Sequence, residues 1–194
     1  MTKKQPDFAN VATETAVAGL AYGAGNTALA VATGSSGQLA DAIHSVLDSV
    51  AHLLHGNTHS SKKHAKLYQT LAGTAIAGGA LYTGVHSIES FVDPEASFKP
   101  LALAAELGAV GLNGYYWAKS VASAGDTRGR AHGIWHNRTD TFLSGVAVLG
   151  IALDEVSGGK SDGIAGLAIS AAALVLAGKV AFDKHGHTES HVVE

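Results

Sequence analysis

The chain has 194 residues, of which only 15% are Asp, Glu, Lys or Arg, while 46% are hydrophobic, with 24 glycines and aromatics at 6%. Soluble domains carry about 25% charged residues, so this composition cannot cover a globular surface, and its small apolar side chains suit helices packed closely in a bilayer. A net charge of -3 offers no basic stripe to nucleic acid, and the absence of cysteine excludes a disulfide scaffold, a thiolate metal site and a cysteine nucleophile, so any metal falls to the 11 histidines and the carboxylates.

Residues 15–40 contain no charge, a stretch longer than the roughly 20 residues that cross a hydrocarbon core. This is span one, and its Gly19 and Gly23, one turn apart, offer a face for close helix packing. Residues 37–55 read as span two, although Asp41, His44, Asp48 and His52 make it polar for a membrane helix. Residues 67–88 give span three, between Lys62, Lys63 and Lys66 on one side and Asp93-Pro94 on the other. Spans four, five and six fall at 100–121, 129–153 and 162–182. Breakers separate them: Thr33-Gly34-Ser35-Ser36-Gly37, Asp93-Pro94-Glu95, Gly125-Asp126 and Ser157-Gly158-Gly159. No useful β-alternation appears, so the expected fold is all-α.

With both termini cytoplasmic, the inner segments hold Lys3, Lys4, Lys62, Lys63, Lys66, Arg128, Arg130 and Lys184, against Lys99 and Lys160 outside. This bias satisfies the positive-inside rule. Lys119, Arg138 and Lys179 lie in the inner parts of their helices, where long side chains can snorkel. A cleaved signal peptide fits the first 32 residues less well, because Asp7 and Glu14 interrupt it and its removal breaks the bias.

Span two contains His44-Ser45-Val46-Leu47-Asp48 and span five contains His136-Asn137-Arg138-Thr139-Asp140. Positions four apart share a helix face, so each pair presents an imidazole and a carboxylate to the same neighbour. Counted from the inner ends at about 1.5 Å per residue, the pairs lie roughly 12 to 18 Å and 9 to 15 Å deep. The windows overlap, and antiparallel helices level His44 with Asp140 and Asp48 with His136. Two neutral imidazoles and two carboxylates form a four-coordinate set of charge -2, which suits Zn²⁺. Either pair alone is an ordinary intrahelical contact; two copies at matched depth point to a bound cation, a proton or water access, since each Asp at a helix centre costs at least about 2.5 kcal/mol.

Residues 34–48, Gly-Ser-Ser-Gly-Gln-Leu-Ala-Asp-Ala-Ile-His-Ser-Val-Leu-Asp, resemble the span-two signature of the cation diffusion facilitator family, and Trp135-His136-Asn137-Arg138-Thr139-Asp140 resembles its span-five signature. Asn26, Ile88-Glu89-Ser90, Asn113 and Ser161-Asp162 also fall where similar residues recur in that family. The resemblance covers roughly residues 9–183 and implies a six-helix transmembrane bundle that exports divalent metal in exchange for protons by alternating access. It implies His44, Asp48, His136 and Asp140 as transport ligands. Their His/Asp composition is similar to zinc-type members, with Cd²⁺, Co²⁺ and Fe²⁺ as competing cargoes and H⁺ as counter-ion. The implied organisation is a cytoplasmic tail at 1–8, a transport domain at 9–183 and a His-containing tail at 184–194, in the cell membrane. Members usually continue into a cytoplasmic domain that dimerises and senses metal; only residues 183–194 follow span six here, so the expectation is a transmembrane domain without it, leaving a homodimer through the spans.

His52, His55, His59, His64 and His132 gather at the inner end as accessory metal candidates, or as loop histidines with no role. His185, His187 and His191 form a short tract read as a solvated tail, His86 and Glu89 fit interfacial solvation, and Glu106 has no assigned role. The alternative function is a non-transporting membrane metal-binding or sensing protein. A soluble di-carboxylate bundle would need E-x-x-H repeats that are absent, and no motif of a serine hydrolase, phosphate loop or zinc protease supports an enzyme.

Overall fold

The computed structural model describes residues 7–56, 62–94, 99–123 and 127–182. Six α-helices follow in chain order: α1 (Phe8–Thr33), α2 (Ser36–Gly56), α3 (Lys62–Val92), α4 (Pro100–Ala122), α5 (Thr127–Leu153) and α6 (Lys160–Phe182). No strand ladder forms among the described residues, and the all-α expectation holds. Spans two, four, five and six agree with the sequence reading to within a few residues. The first helix is displaced, running from Phe8 to Thr33 rather than over 15–40, and α3 starts at Lys62 rather than at 67; a charge that ends an apolar run does not end a helix, and the turn at Gly34 ends α1 inside the uncharged stretch.

The largest helix interfaces are α3 with α6, α1 with α2 and α4 with α5, while α2 also touches α5 and α6. Small residues permit this closeness. A Cβ added at Gly23 would sit 2.8 Å from Val46 Cγ2 and 3.1 Å from the Ala42 carbonyl, and one at Gly19 would sit 2.5 Å from Ser49 Oγ. Between α3 and α6, Ile76, Ala80, Ala173 and Ala177 form an apolar cluster, and the hydroxyls of Thr83 and Ser170 hydrogen-bond at 2.8 Å. A second cluster, Ala40, Leu143, Ala147 and Ile169, joins α2, α5 and α6.

Polarity is inverted relative to a water-soluble bundle. Asp41, His44, Glu106, Asn137, Asp154 and Asp162 are buried, whereas Val31, Leu81, Leu107, Phe142, Leu149 and Val175 are exposed. Exposed apolar side chains around a polar interior satisfy lipid outside and hydrogen-bonding groups inside. One helix among the described residues, over Lys160–Ala181, passes a simple test of length and apolar composition for crossing a membrane. The inward polar residues of the other helices dilute such a test.

One end of the bundle is clasped. Gly34 turns the chain between α1 and α2 with φ 66°, and Gly158 and Gly159, with φ 66° and 87°, turn it between α5 and α6; glycine adopts these left-handed values without a Cβ penalty. Asp162, in the first turn of α6, caps α2. Its carboxylate accepts the N–H groups of Ser36 at 2.9 Å and Gly37 at 3.0 Å and the Ser35 hydroxyl at 3.0 Å. A negative charge at a helix N-terminus is stabilising. Lys99, just before α4, places its Nζ 3.0 Å from Asp162 and 3.4 Å from Asp154. Three connections are thereby tied together at the Lys99 end.

Candidate metal centre

On α2, Asp41, His44 and Asp48 stand at i, i+3 and i+7, a single helix face. On α5, His136, Asp140 and Ser144 repeat at intervals of four. The helices run antiparallel, and the two rows meet as rungs. Asp48 Oδ2 lies 2.8 Å from His136 Nδ1, His44 Nε2 lies 3.5 Å from Asp140 Oδ1, and Ser144 donates to Asp41 Oδ2 at 2.8 Å. Asp140 also reaches along its own helix, with Oδ2 3.2 Å from His136 Nε2. The structure thus brings together all four residues of the two H-x-x-x-D pairs, with His44 opposite Asp140 and Asp48 opposite His136.

Four-coordinate zinc holds nitrogen and oxygen ligands at about 2.0–2.2 Å, which sets the ligand atoms roughly 3.3–3.6 Å apart. One ligand atom from each of His44, Asp48 and Asp140 lies within 4.8 Å of the others, so a small contraction forms three-quarters of such a shell. His136 differs: both of its ring nitrogens contact carboxylates. A neutral imidazole donates through one nitrogen only, so the second contact needs a further proton on the ring or on a carboxyl. To offer a lone pair to a metal, His136 must give up one of these contacts and that proton. Exposure also differs across the site. The His44 side chain is 2% exposed, and those of His136 and Asp48 are 15% and 14%. The rung farther from the Lys99 clasp is the more open one.

Other predicted residues fall around this centre. Asn26 donates to Glu106 Oε1 at 3.2 Å, and Asn113 donates to the Ser144 hydroxyl at 3.3 Å. Asn137, beside His136, donates to Ser120 at 3.1 Å and ties α5 to α4. Arg138, between two of the four in sequence, is exposed. Lys119 pairs with Glu14, and Lys179 lies 5.1 Å above the Trp135 ring. His86 and Glu89 are paired at 3.8 Å on a partly exposed part of α3. The accessory candidates stand at the end opposite Lys99: His52 and His55 late in α2, His64 early in α3 and His132 early in α5, with side chains outside the described set. His59 and the tail histidines lie outside the described residues. Sequence reasoning missed Asp41 with Ser144 as a third rung, and Asp154 with Lys99 as part of the clasp. The continued spacing on both helices was the available signal for the first; nothing local marked the second.

Residues 15–184 match the family described as the cation efflux transmembrane domain. The chain belongs to the cation diffusion facilitator family. Members are membrane-embedded transporters of divalent metal cations, and that role agrees with a polar, metal-compatible centre inside an apolar-faced bundle. No curated protein matches the chain. The four-residue cluster lies between the clasped end and the more open one.

Proposed function

We propose that the chain exports zinc from the cytoplasm in exchange for protons, with His44, Asp48, His136 and Asp140 as the transport ligands. The observation that carries this reading is the convergence of two imidazoles and two carboxylates from α2 and α5 at one level of the bundle. Their combined charge of -2 neutralises one divalent ion, and the mixture of nitrogen and oxygen ligands suits Zn²⁺, with Cd²⁺, Co²⁺ and Fe²⁺ as competitors. Burial of such a set without a cation or protons is too costly to persist.

Proton exchange follows from ligand chemistry. Metal binding needs neutral imidazole and ionised carboxylate, so loading releases protons and reprotonation releases metal. His136, held through both nitrogens, is the proton carrier that metal displaces, and His44 is the second. The Lys99 end faces outward and both termini lie in the cytoplasm, in agreement with the distribution of lysine and arginine. The clasped outer end and the more exposed inner rung describe a form that loads from the cytoplasm. Alternating access then requires the clasp to part as the inner side closes. His52, His55, His59, His64 and His132 are accessory metal candidates by their place in the sequence, and a homodimer through the spans is the expected assembly.

The test is zinc uptake into proteoliposomes with an acidic lumen. Wild type should accumulate zinc, and Asp48→Ala and Asp140→Ala should not; full flux in either variant overturns the assignment.

A further inference from the structure

Beyond the four-residue centre, toward the Lys99 end, a second pair of acids is buried. Glu106 of α4 is 0% exposed and Asp41 of α2 is 2% exposed. The two carboxyl groups are close enough to interact directly. One oxygen of each is held by a neutral donor, Asn26 for Glu106 at 3.2 Å and Ser144 for Asp41 at 2.8 Å. The other two oxygens, Glu106 Oε2 and Asp41 Oδ1, receive no hydrogen bond from any further group among the described residues. Among the described residues no lysine or arginine pairs with either acid.

Two neighbouring carboxylates in a low-dielectric interior cannot both remain ionised without a compensating charge. The surroundings select the compensating species. Amide and hydroxyl donors already occupy one oxygen each, and the free oxygens are too few to complete the six to eight ligands of calcium or the octahedron of magnesium. No imidazole belongs to the pair, so zinc lacks its usual nitrogen ligand there. A single proton shared between the two acids satisfies both free oxygens and reduces the charge of the pair to -1. The titratable groups around the pair are His44 on α2, Asp140 on α5, Asp162 on α6 and Tyr22 on α1. On α3, Tyr82 and Glu89 are exposed and His86 pairs with Glu89.

We propose that Asp41 and Glu106 form a proton-binding site distinct from the metal ligands. Asp41 lies five residues into α2 and Glu106 six residues into α4, about 8 to 9 Å from the Lys99 end at 1.5 Å per residue. His44 follows Asp41 by one turn. The site therefore lies between the metal ligands and the outer medium, on the side from which exchanged protons enter. In that role it rests on the antiport reading; as a proton site it does not.

Infrared spectroscopy of the purified protein in detergent at neutral pH tests it directly. Wild type should show the C=O stretch of a buried protonated carboxyl. Glu106→Gln, which keeps the shape and can donate to Asp41, should lose that band. Ser144→Ala, which deletes a donor to the pair without touching either acid, should shift it. An absent band in wild type, or a full-strength unshifted band in Glu106→Gln, overturns the proposal. Should Glu106→Gln fail to fold, Ser144→Ala decides alone, an unshifted band overturning it. If the band behaves as expected while wild type moves no protons with zinc, the proton site stands and antiport falls.

Discussion

Asp140 is the residue on which the metal centre turns, because its carboxylate contacts both histidines, at 3.5 Å from His44 and 3.2 Å from His136. Asp140→Asn preserves the shape of the side chain and removes one negative charge. The residual ligand set then carries a charge of -1 against a divalent ion, with one charged oxygen ligand exchanged for a neutral one. A hydrogen bond or contact to a charged group contributes about 1.5–3 kcal/mol, and each 1.4 kcal/mol is about a tenfold change in affinity. Zinc affinity should therefore fall about 10- to 150-fold, as measured by competition with a chromophoric chelator in detergent. Circular dichroism checks that the helices persist. An affinity within about twofold of wild type, in a protein of unchanged helicity, would refute the reasoning that joins Asp140 to the metal.

Acid should weaken zinc binding, since both imidazoles must be neutral to ligate. Below the ordinary histidine value of about 6.5, each displaced proton costs up to tenfold in affinity per pH unit. A chelator competition series that stays flat through this range contradicts proton competition at the histidines. Lys99→Gln leaves the buried carboxylates of Asp154 and Asp162 without their shared cation. It should cost about 3 kcal/mol in stability, read as a lower midpoint of thermal unfolding in detergent; an unchanged midpoint removes the clasp from the account. Gly23→Val drives a side chain into Val46 and the Ala42 carbonyl. Overpacking of about 1–3 kcal/mol should follow, and a melting temperature equal to wild type would mean that α1 and α2 pack otherwise.

Much of the centre was legible because helical geometry converts spacing into position. Two H-x-x-x-D pairs in helices joined by short connections specify which imidazole meets which carboxylate, and the contacts of His44 with Asp140 and Asp48 with His136 follow that arithmetic. The third rung was less visible because its partner on α5 is Ser144, and serine is common throughout this chain. Glu106 was identifiable as a deep acid but had no role, since its partners Asn26 and Asp41 come from two other helices and share no spacing with it. The Asp162 cap on α2 spans 126 residues of sequence to the Ser36 N–H. Capping motifs are recognisable when local; a cap lent by another helix leaves no local mark. Hydropathy was the weakest guide. Inward faces of glycine, serine and acids lower the average of a helix whose outer face is apolar.

The central claim is that zinc and protons move in opposite directions through one His/Asp site. Proteoliposomes carrying a pH-sensitive dye in an acidic lumen measure both movements once zinc is added outside. The account predicts that zinc enters while the lumen becomes less acidic in wild type, and that His136→Ala loses both signals. Zinc entry with no change in lumen pH, or an undiminished pH change in His136→Ala, would contradict it.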